Sequence, residues 1–157
     1  MSAPRVGMGF DVHAFSEDPE RRLVLGGVPL DGPGLTGHSD ADVIAHSVAD
    51  ALLGAAGLGD LGTRFPSSEP AYQGVDSMGL LAEVVRSVTE VAEIGNVDVV
   101  VVAEVPRLGP HVAAMQQRLS EAVGAPVAVK PKRAEGLGSL GRQEGIACWA
   151  VALVMPR

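Results

Sequence analysis

The sequence has few aromatic residues, one cysteine and no excess of positive charge. Its 157 residues include three Phe, one Trp and one Tyr, so aromatic platforms that stack single-stranded nucleic acid are not expected. Lys and Arg number 12 against 19 Asp and Glu, which gives a formal net charge of −7. Such a chain is a poor candidate for wrapping nucleic acid by charge. Phosphate binding would therefore depend on local cations or on a metal ion.

Other absences concern the cellular compartment. The lone cysteine, Cys148, excludes an intramolecular disulfide and fits a reducing environment. The apolar runs are shorter than the roughly 20 residues that span a bilayer. The first residues reach polar chemistry at Asp11 without a signal-peptide pattern. We therefore expect a cytoplasmic protein that has neither a membrane nor a nucleic acid as its partner.

Length and hydropathy favour one domain with a real core. Hydrophobic residues make up 46% of the chain, which argues against disorder, and no repeat or long linker divides residues 1–157. Segment 59–74 is predicted to be a loop, and segment 131–145 is glycine-rich. Residue patterns predict strands at 5–13, 21–30, 96–105, 125–130 and 146–154, and helices at about 40–56, 76–93 and 110–123. Strands and helices are interleaved, so the class is α/β or α+β.

Two of these elements each present metal-ligating side chains on one face. On the first helix, Asp42, His46 and Asp50 are spaced i, i+4, i+8 and fall within an arc of about 80° on the polar face. On the first strand, Asp11 and His13 are spaced i, i+2 and leave the same face.

If the helix packs beside the end of the strand, Asp11, His13 and His46 form an Asp–His–His set. Three protein ligands with an open fourth position are typical of a catalytic zinc. Spacing alone leaves a surface pair as the alternative, because histidine and aspartate four residues apart often interact in water. Asp50 would orient His46 from behind or would be a plain surface residue. Ser39 or Asp40 is expected to cap the helix.

Five motifs occur in one order across nearly the whole chain. They are GMGFDVHAF, GHSDADVIAHSVADALLGAAGLGDLGTRFP, GVDSMGLL, NVDVVVVAEVPRLGPH and EGLGSLGRQEGIACWAVAL. Together they resemble the 2-C-methyl-D-erythritol 2,4-cyclodiphosphate synthase family of the non-mevalonate isoprenoid pathway. The long second motif, which carries the histidines of GHSDADVIAH, is the most specific.

The resemblance implies an α+β fold for residues 1–157. A single domain would have a mixed β-sheet covered by helices on one face, in a ferredoxin-like arrangement. It would assemble as a homotrimer with shared active sites. One subunit would give the zinc ligands, and the next would give the cytidine loop and segment 131–135.

The resemblance also implies a reaction. The substrate would be 4-diphosphocytidyl-2-C-methyl-D-erythritol 2-phosphate, whose 2-phosphate attacks the nearer diphosphate phosphorus, so that a cyclic diphosphate forms and CMP leaves. The enzyme would be a phosphorus–oxygen lyase. Zn²⁺ or another divalent transition metal would bind Asp11, His13 and His46, the first two of which would also meet the substrate. Mg²⁺ or Mn²⁺ that bridges the diphosphate would bind Glu135.

By the same resemblance, polar side chains of the second motif contact the substrate. His38 and Ser39 would approach the attacking 2-phosphate, and Asp60 and Gly62 would hold the erythritol hydroxyls. The expected catalytic residues are His38, Ser39, Asp60 and Glu135.

The cytidine pocket implied by the resemblance is made largely of backbone. It would lie at Ala103, Pro106, Arg107 and Leu108. Arg142, which lies near the trimer axis in the family and counts among the substrate-binding residues, is kept. The aromatic residue that often stands at the position of Ser139 is not kept, which argues against an isoprenoid diphosphate in the axial cavity.

The chain departs from the family before Glu135. The family usually has threonines there, and this chain has Pro131, Lys132, Arg133 and Ala134. Lysine and arginine can hold a diphosphate as cations. We therefore expect Lys132 and Arg133 to bind the phosphates in place of the threonines. The alternative is that both side chains point to solvent and only backbone binds.

Three other functions remain open at the level of the sequence. A zinc-dependent phosphohydrolase would use the same ligands and would release inorganic phosphate or an open-chain product. A catalytically weak trimeric protein would bind zinc and CMP without turnover. A purely structural domain would leave the Asp–His–His set unexplained.

Overall fold

The computed structural model of the protein, which describes residues 2–157, is built from β-branched strands and amphipathic helices. The strands are β1 (Arg5–Ala14), β2 (Leu23–Leu25), β3 (Val28–Leu30), β4 (Ala92–Val102), β5 (Val127–Lys132) and β6 (Gly145–Pro156). The helices are α1 (Val43–Ala56), α2 (Leu61–Arg64), α3 (Ser77–Val91), α4 (Val112–Val123) and α5 (Gly138–Gly141), with 3₁₀ turns at Pro70–Tyr72 and Gly109–His111. Throughout residues 2–157, the helices are too short or too polar to cross a membrane.

The main sheet has the strand order β1-β6-β4-β5. Its β1/β6 and β6/β4 pairs are antiparallel and its β4/β5 pair is parallel, so the expected mixed sheet of an α+β fold is confirmed. Helix α1 packs across β1 and β6, and α4 packs on β5. The ferredoxin-like expectation is wrong in detail. The sheet strands and the long helices between them follow the order β1-α1-α3-β4-α4-β5-β6, whereas a ferredoxin-like unit is βαββαβ.

The predicted strand 21–30 is a hairpin instead. Gly26 and Gly27 have φ of 58° and 73°, and two consecutive positive φ values are typical of the tight turn that joins twisted antiparallel strands. Strands β2 and β3 pair across this turn. The apolar run hid the turn because both glycines sit between valine and leucine residues.

Other boundaries shift by a few residues. Strand β4 begins at Ala92, directly after α3, and ends at Val102 rather than at 105. The predicted loop 59–74 contains α2, and the glycine-rich segment contains α5. Helix α1 ends at Ala56, as predicted, and Gly57 caps it because a φ of 74° suits a left-handed cap.

The cap of α1 is Asp42, not Ser39 or Asp40. Its carboxylate accepts hydrogen bonds from the N–H groups of Ile44 and Ala45 and also of Gly26 and Gly27 in the hairpin turn. Burial raises the pKa of this carboxyl. Asp42 is fully buried, so its predicted place on the polar face of the helix is wrong.

Two glycines of β1 allow α1 to lie directly against the strand. A Cβ atom at Gly9 would overlap the carbonyl oxygen of Ser47, and one at Gly7 would overlap the backbone of Ala51 and Ala55. The helix therefore comes close enough for a side chain at its start to meet those that follow Gly9. This contact sets the position of the candidate site.

The other face of the sheet carries no helix across β1 and β6. Because side chains alternate along a strand, the apolar residues opposite Gly7 and Gly9 point away from α1. The exposed apolar residues of this face, called the open sheet face below, are Val6, Met8, Phe10, Val12, Trp149 and Val151.

Candidate metal centre and substrate pocket

Asp11, His13 and His46 meet where β1 runs past the start of α1. The Oδ2 atom of Asp11 lies 2.9 Å from His13 Nε2 and 2.9 Å from His46 Nδ1. The three ligand atoms are all within 4.8 Å of one another. The predicted meeting of strand and helix ligands is confirmed, and the group can hold a divalent metal ion.

Each histidine also has a partner behind it that orients the ring. His13 Nδ1 donates to the carbonyl oxygen of Thr36 at 2.6 Å, which leaves Nε2 for the metal. His46 Nε2 lies 2.8 Å from Ser77 Oγ and 3.1 Å from Ser39 Oγ, which leaves Nδ1 for the metal. Such outer partners fix the tautomer and the orientation of metal-binding imidazoles.

Ser77 is itself held in place by Asp40. Its hydroxyl donates to the Asp40 carboxylate, and its backbone N–H donates to the other Asp40 oxygen at 3.1 Å. With its own proton committed to Asp40, Ser77 Oγ is an acceptor for the N–H of His46 Nε2. Sequence reasoning missed this role, although Ser77 lies in the quoted motif GVDSMGLL. Asp50, for which the sequence left a place behind His46 or on the surface open, accepts from the N–H of Leu61 at 3.1 Å rather than from the His46 ring.

Asp11, His13 and His46, called the triad below, stabilise one another's charged forms. Burial would raise the pKa of Asp11, but the hydrogen bonds and charges of His13 and His46 hold it well below its usual range. Burial would lower the pKa of His13, but the Asp11 carboxylate raises it above its usual value. A metal must displace the proton on His13 Nε2, so metal affinity should rise with pH.

A cavity of about 540 Å³ opens beside the triad. It is lined partly by apolar residues, among them Leu61, Phe65 and Leu80. It also collects the predicted residues of the first half of the chain, which are Asp11, His13, His38, Ser39, His46, Asp60 and Gly62. The size suits a small phosphorylated molecule.

Two of these pocket residues are fixed by local backbone contacts. Asp60 caps α2, where its Oδ1 accepts from the N–H of Thr63 at 2.7 Å. Hydrogen bonds from the side chain and from the backbone of Thr63 lower the pKa of Asp60. His38 Nε2 donates to the carbonyl oxygen of Glu69 at 3.1 Å. The His38 contact thus ties the pocket wall formed by segment 60–74 to the residues that precede α1.

The remaining predicted residues lie elsewhere, mostly at the carboxyl ends of the parallel strands β4 and β5. Ala103 follows β4 and its N–H donates to the carbonyl oxygen of Lys132 at 3.0 Å. The side chains of Ala103 and Leu108 are buried, so only backbone is offered there. This second group comprises Ala103, Pro106, Arg107, Leu108, Lys132, Arg133 and Glu135. Within residues 2–157, none of them lines the 540 Å³ cavity.

The cations of the second group differ in their contacts. Arg133 Nη2 lies 3.1 Å from Glu104 Oε2. Lys132 shares the helix-free side of β5 with Ala128 and Lys130 and is exposed. Arg142 lies apart, after α5, and its Nε donates to Glu144 at 2.7 Å.

Comparison with known proteins gives a consistent result. A sequence profile described as the YgbB family matches residues 4–155. A 2-C-methyl-D-erythritol 2,4-cyclodiphosphate synthase of Cupriavidus metallidurans is 49% identical over 98% of this chain and 93% of its own length. A bifunctional enzyme IspD/IspF of Anaeromyxobacter dehalogenans is 49% identical over 95% of this chain, which spans only 39% of that enzyme.

A solved structure shares the fold as well. The structure described as IspF of Plasmodium falciparum in a CDP complex superposes with a TM-score of 0.85 at 33% identity. The superposition covers 100% of this chain and 99% of the other. Similarity of this extent concerns the whole chain and not the metal centre alone.

Proposed function

Because the chain belongs to the YgbB family, we propose that it is a cyclodiphosphate synthase. It would convert 4-diphosphocytidyl-2-C-methyl-D-erythritol 2-phosphate to 2-C-methyl-D-erythritol 2,4-cyclodiphosphate and CMP, and would thus act as a phosphorus–oxygen lyase. The observation that carries the proposal is the set of Asp11, His13 and His46 at one end of the 540 Å³ pocket.

The donor set fits a divalent transition metal, and zinc is the ion we propose. One carboxylate and two imidazoles, each imidazole fixed from behind by Thr36 or Ser77, match the ligand types of catalytic zinc. When bound, the metal would supply Lewis acidity at the diphosphate. Glu135 would hold a second divalent ion, Mg²⁺ or Mn²⁺, which would neutralise charge on the diphosphate.

The reaction does not require a nucleophile from the protein. An oxygen of the substrate's 2-phosphate forms a new bond to the nearer diphosphate phosphorus, and the bond from that phosphorus to the oxygen of CMP breaks. The protein then contributes position and charge neutralisation. His38 and Ser39 would hold the 2-phosphate, and Asp60 and Gly62 would hold the erythritol hydroxyls; all four line the pocket.

The second group of residues would form the part of the site that receives the cytidine diphosphate end. Ala103 and Leu108 have buried side chains, which suits recognition of cytosine by backbone groups of the loop that includes Pro106 and Arg107. The CDP complex of the Plasmodium falciparum protein, which resembles this chain over its full length, supports a cytidine nucleotide as ligand. Arg142 stays in the proposal as a substrate-binding residue near the trimer axis.

We propose a homotrimer because one chain separates the two groups. The metal centre lies on the helix-covered side of β1, whereas the nucleotide group follows β4 and β5, beyond β6 in the sheet. The open sheet face supplies an apolar surface with Val6 and Met8 71% and 69% exposed. Covering that face with a second copy would bury it and bring the nucleotide group of one subunit to the metal of its neighbour.

Phosphorus NMR of the purified protein with this substrate, Zn²⁺ and Mg²⁺ tests the proposal. We expect cyclic diphosphate and an equal amount of CMP, and neither product in a chelated sample. Inorganic phosphate would favour the phosphohydrolase, and unchanged substrate with bound zinc would favour the catalytically weak binding protein.

Matched variants connect the product to the metal centre. His13→Ala should lose metal and product together, whereas His111→Ala, outside the triad, should keep the metal. Product formed by a His13→Ala protein that holds no metal would overturn the assignment.

A further inference from the structure

Glu104 joins the two loops that follow β4 and β5. Its side chain is only 5% exposed. One carboxylate oxygen, Oε1, accepts from the N–H of Ala134 at 2.6 Å, and the other, Oε2, accepts from Arg133 Nη2 at 3.1 Å. We call these two contacts the Glu104 bridge. It connects the proposed cytidine loop to the proposed diphosphate loop within one chain.

The bridge depends on a charged carboxylate in a nearly closed position. Burial would raise the pKa of Glu104, but the hydrogen bonds from Arg133 and Ala134 lower it below its usual value. Arg133 is 69% exposed, and an ion pair with an exposed partner is weak by itself. The backbone contact is different, because a short bond from an amide to a carboxylate is charge-assisted, and Arg133 keeps that carboxylate neutralised.

The bridge lies next to a residue in a rarely populated backbone conformation. Glu135, which follows Ala134, has φ of +54°, a left-handed conformation uncommon for residues with a side chain. Such conformations persist when the surrounding structure fixes them. Two contacts fix this one from the β4 side: the Glu104 bridge at Ala134, and the hydrogen bond from Ala103 N–H to Lys132.

We propose that Glu104 and Arg133 are positioning residues, which hold the cytidine loop and Glu135 in register, and that Arg133 is not a ligand of the diphosphate. Lys132, which is exposed on the helix-free side of β5, is then the cation that contacts the phosphates. The inference rests on the proposed function, because it concerns the same nucleotide site. Arg133 would then be neither a phosphate ligand nor a side chain free in solvent, which are the two alternatives that the sequence left open.

Calorimetric titration with cytidine and with CDP separates the roles. Arg133→Ala should weaken both ligands by the same factor, roughly 3- to 10-fold for one lost supporting hydrogen bond. Lys132→Ala, the matched control, should weaken CDP more than cytidine. A loss confined to CDP in Arg133→Ala would make Arg133 a phosphate ligand and overturn the inference, as would unchanged affinity for both.

A double substitution tests whether the two residues act as one unit. Glu104→Gln keeps an oxygen for the Ala134 amide and loses the charge that attracts Arg133. Combined with Arg133→Ala it should add little to either single loss, because contacting residues are not additive. Fully additive losses would show that the bridge does not operate.

Amide hydrogen exchange at Ala134 without nucleotide gives a readout independent of the proposed function. Exchange should accelerate, by about tenfold, in Glu104→Ala and in Arg133→Ala and stay unchanged in Lys132→Ala. Unchanged exchange in the first two would overturn the bridge itself. A wild-type protein that binds neither cytidine nor CDP would instead overturn the nucleotide site and the positioning role together, so the two failures are distinct.

Discussion

Single side chains behind the histidines determine how well the metal centre is organised. Thr36 accepts from His13 through backbone, which any residue could supply, whereas Ser77 meets His46 through a hydroxyl that only a few residue types carry. Ser77 is buried, so its oxygen has no competing water. Ser77 and Asp40 therefore belong to the centre even though neither is one of its three candidate ligands.

Ser77→Ala should lower the affinity for Zn²⁺ by about tenfold, the lower end of the usual range for such outer partners. The loss is moderate because Ser39 Oγ still lies 3.1 Å from His46 Nε2. Competition with a chromophoric chelator measures the effect. Ser87→Ala, the same substitution later on α3, is the control, and equal affinities of the two variants would contradict the role of Ser77.

At the scale of the elements, a single carboxylate connects the start of α1 to the turn of the β2–β3 hairpin; this connection is called the joint below. Asp42 accepts two hydrogen bonds as helix cap and two from the glycines of the turn. A helix cap is one of the stronger local determinants of stability. Here the same group also fixes a neighbouring element, which holds the start of α1, and hence His46, against β1.

Asp42→Ala should lower the free energy of unfolding by about 3–5 kcal/mol, from the lost cap and the unsatisfied turn amides. Asp42→Asn should lose less, because its remaining oxygen can still accept the bonds made by Oδ1. Denaturant unfolding at one protein concentration measures both. Asp76→Ala, which removes an exposed cap with a single hydrogen bond, should cost about 1 kcal/mol, and a similar loss at both positions would refute the joint.

At the scale of the whole molecule, the proposed trimer would account both for the open sheet face and for the separation of the two groups of site residues. An exposed apolar surface on a β-sheet usually marks an interface. Phe10 and Trp149 pack together on this face with ring centroids 5.0 Å apart and remain partly exposed. A symmetric assembly of three copies would cover them and complete each site.

Met8→Asp should dissociate the proposed trimer into monomers, because a carboxylate in an apolar interface loses its hydration. Sedimentation analysis would show the change in mass, and product formation should fall with it. Ala113→Asp adds the same charge at an exposed position of α4 and should keep the trimer. A Met8→Asp protein with wild-type mass would remove the open sheet face from the interface.

The sequence by itself determined where side chains point relative to their own element. The period of a strand placed Asp11 and His13 on one face, and the motifs identified His46 as their partner; the structure confirms the meeting of all three. The single domain, the cytoplasmic location and the assignments of substrate residues stay predictions.

Only the tertiary structure decided which face is buried and what lies behind each ligand. Asp42 looked like a polar-face residue, but the hairpin turn covers it; Ser77 reaches His46 across 31 positions of the chain. Glu104 and Arg133 likewise meet because parallel pairing brings the ends of β4 and β5 together. Local periodicity cannot supply such contacts, since they depend on how separate elements pack.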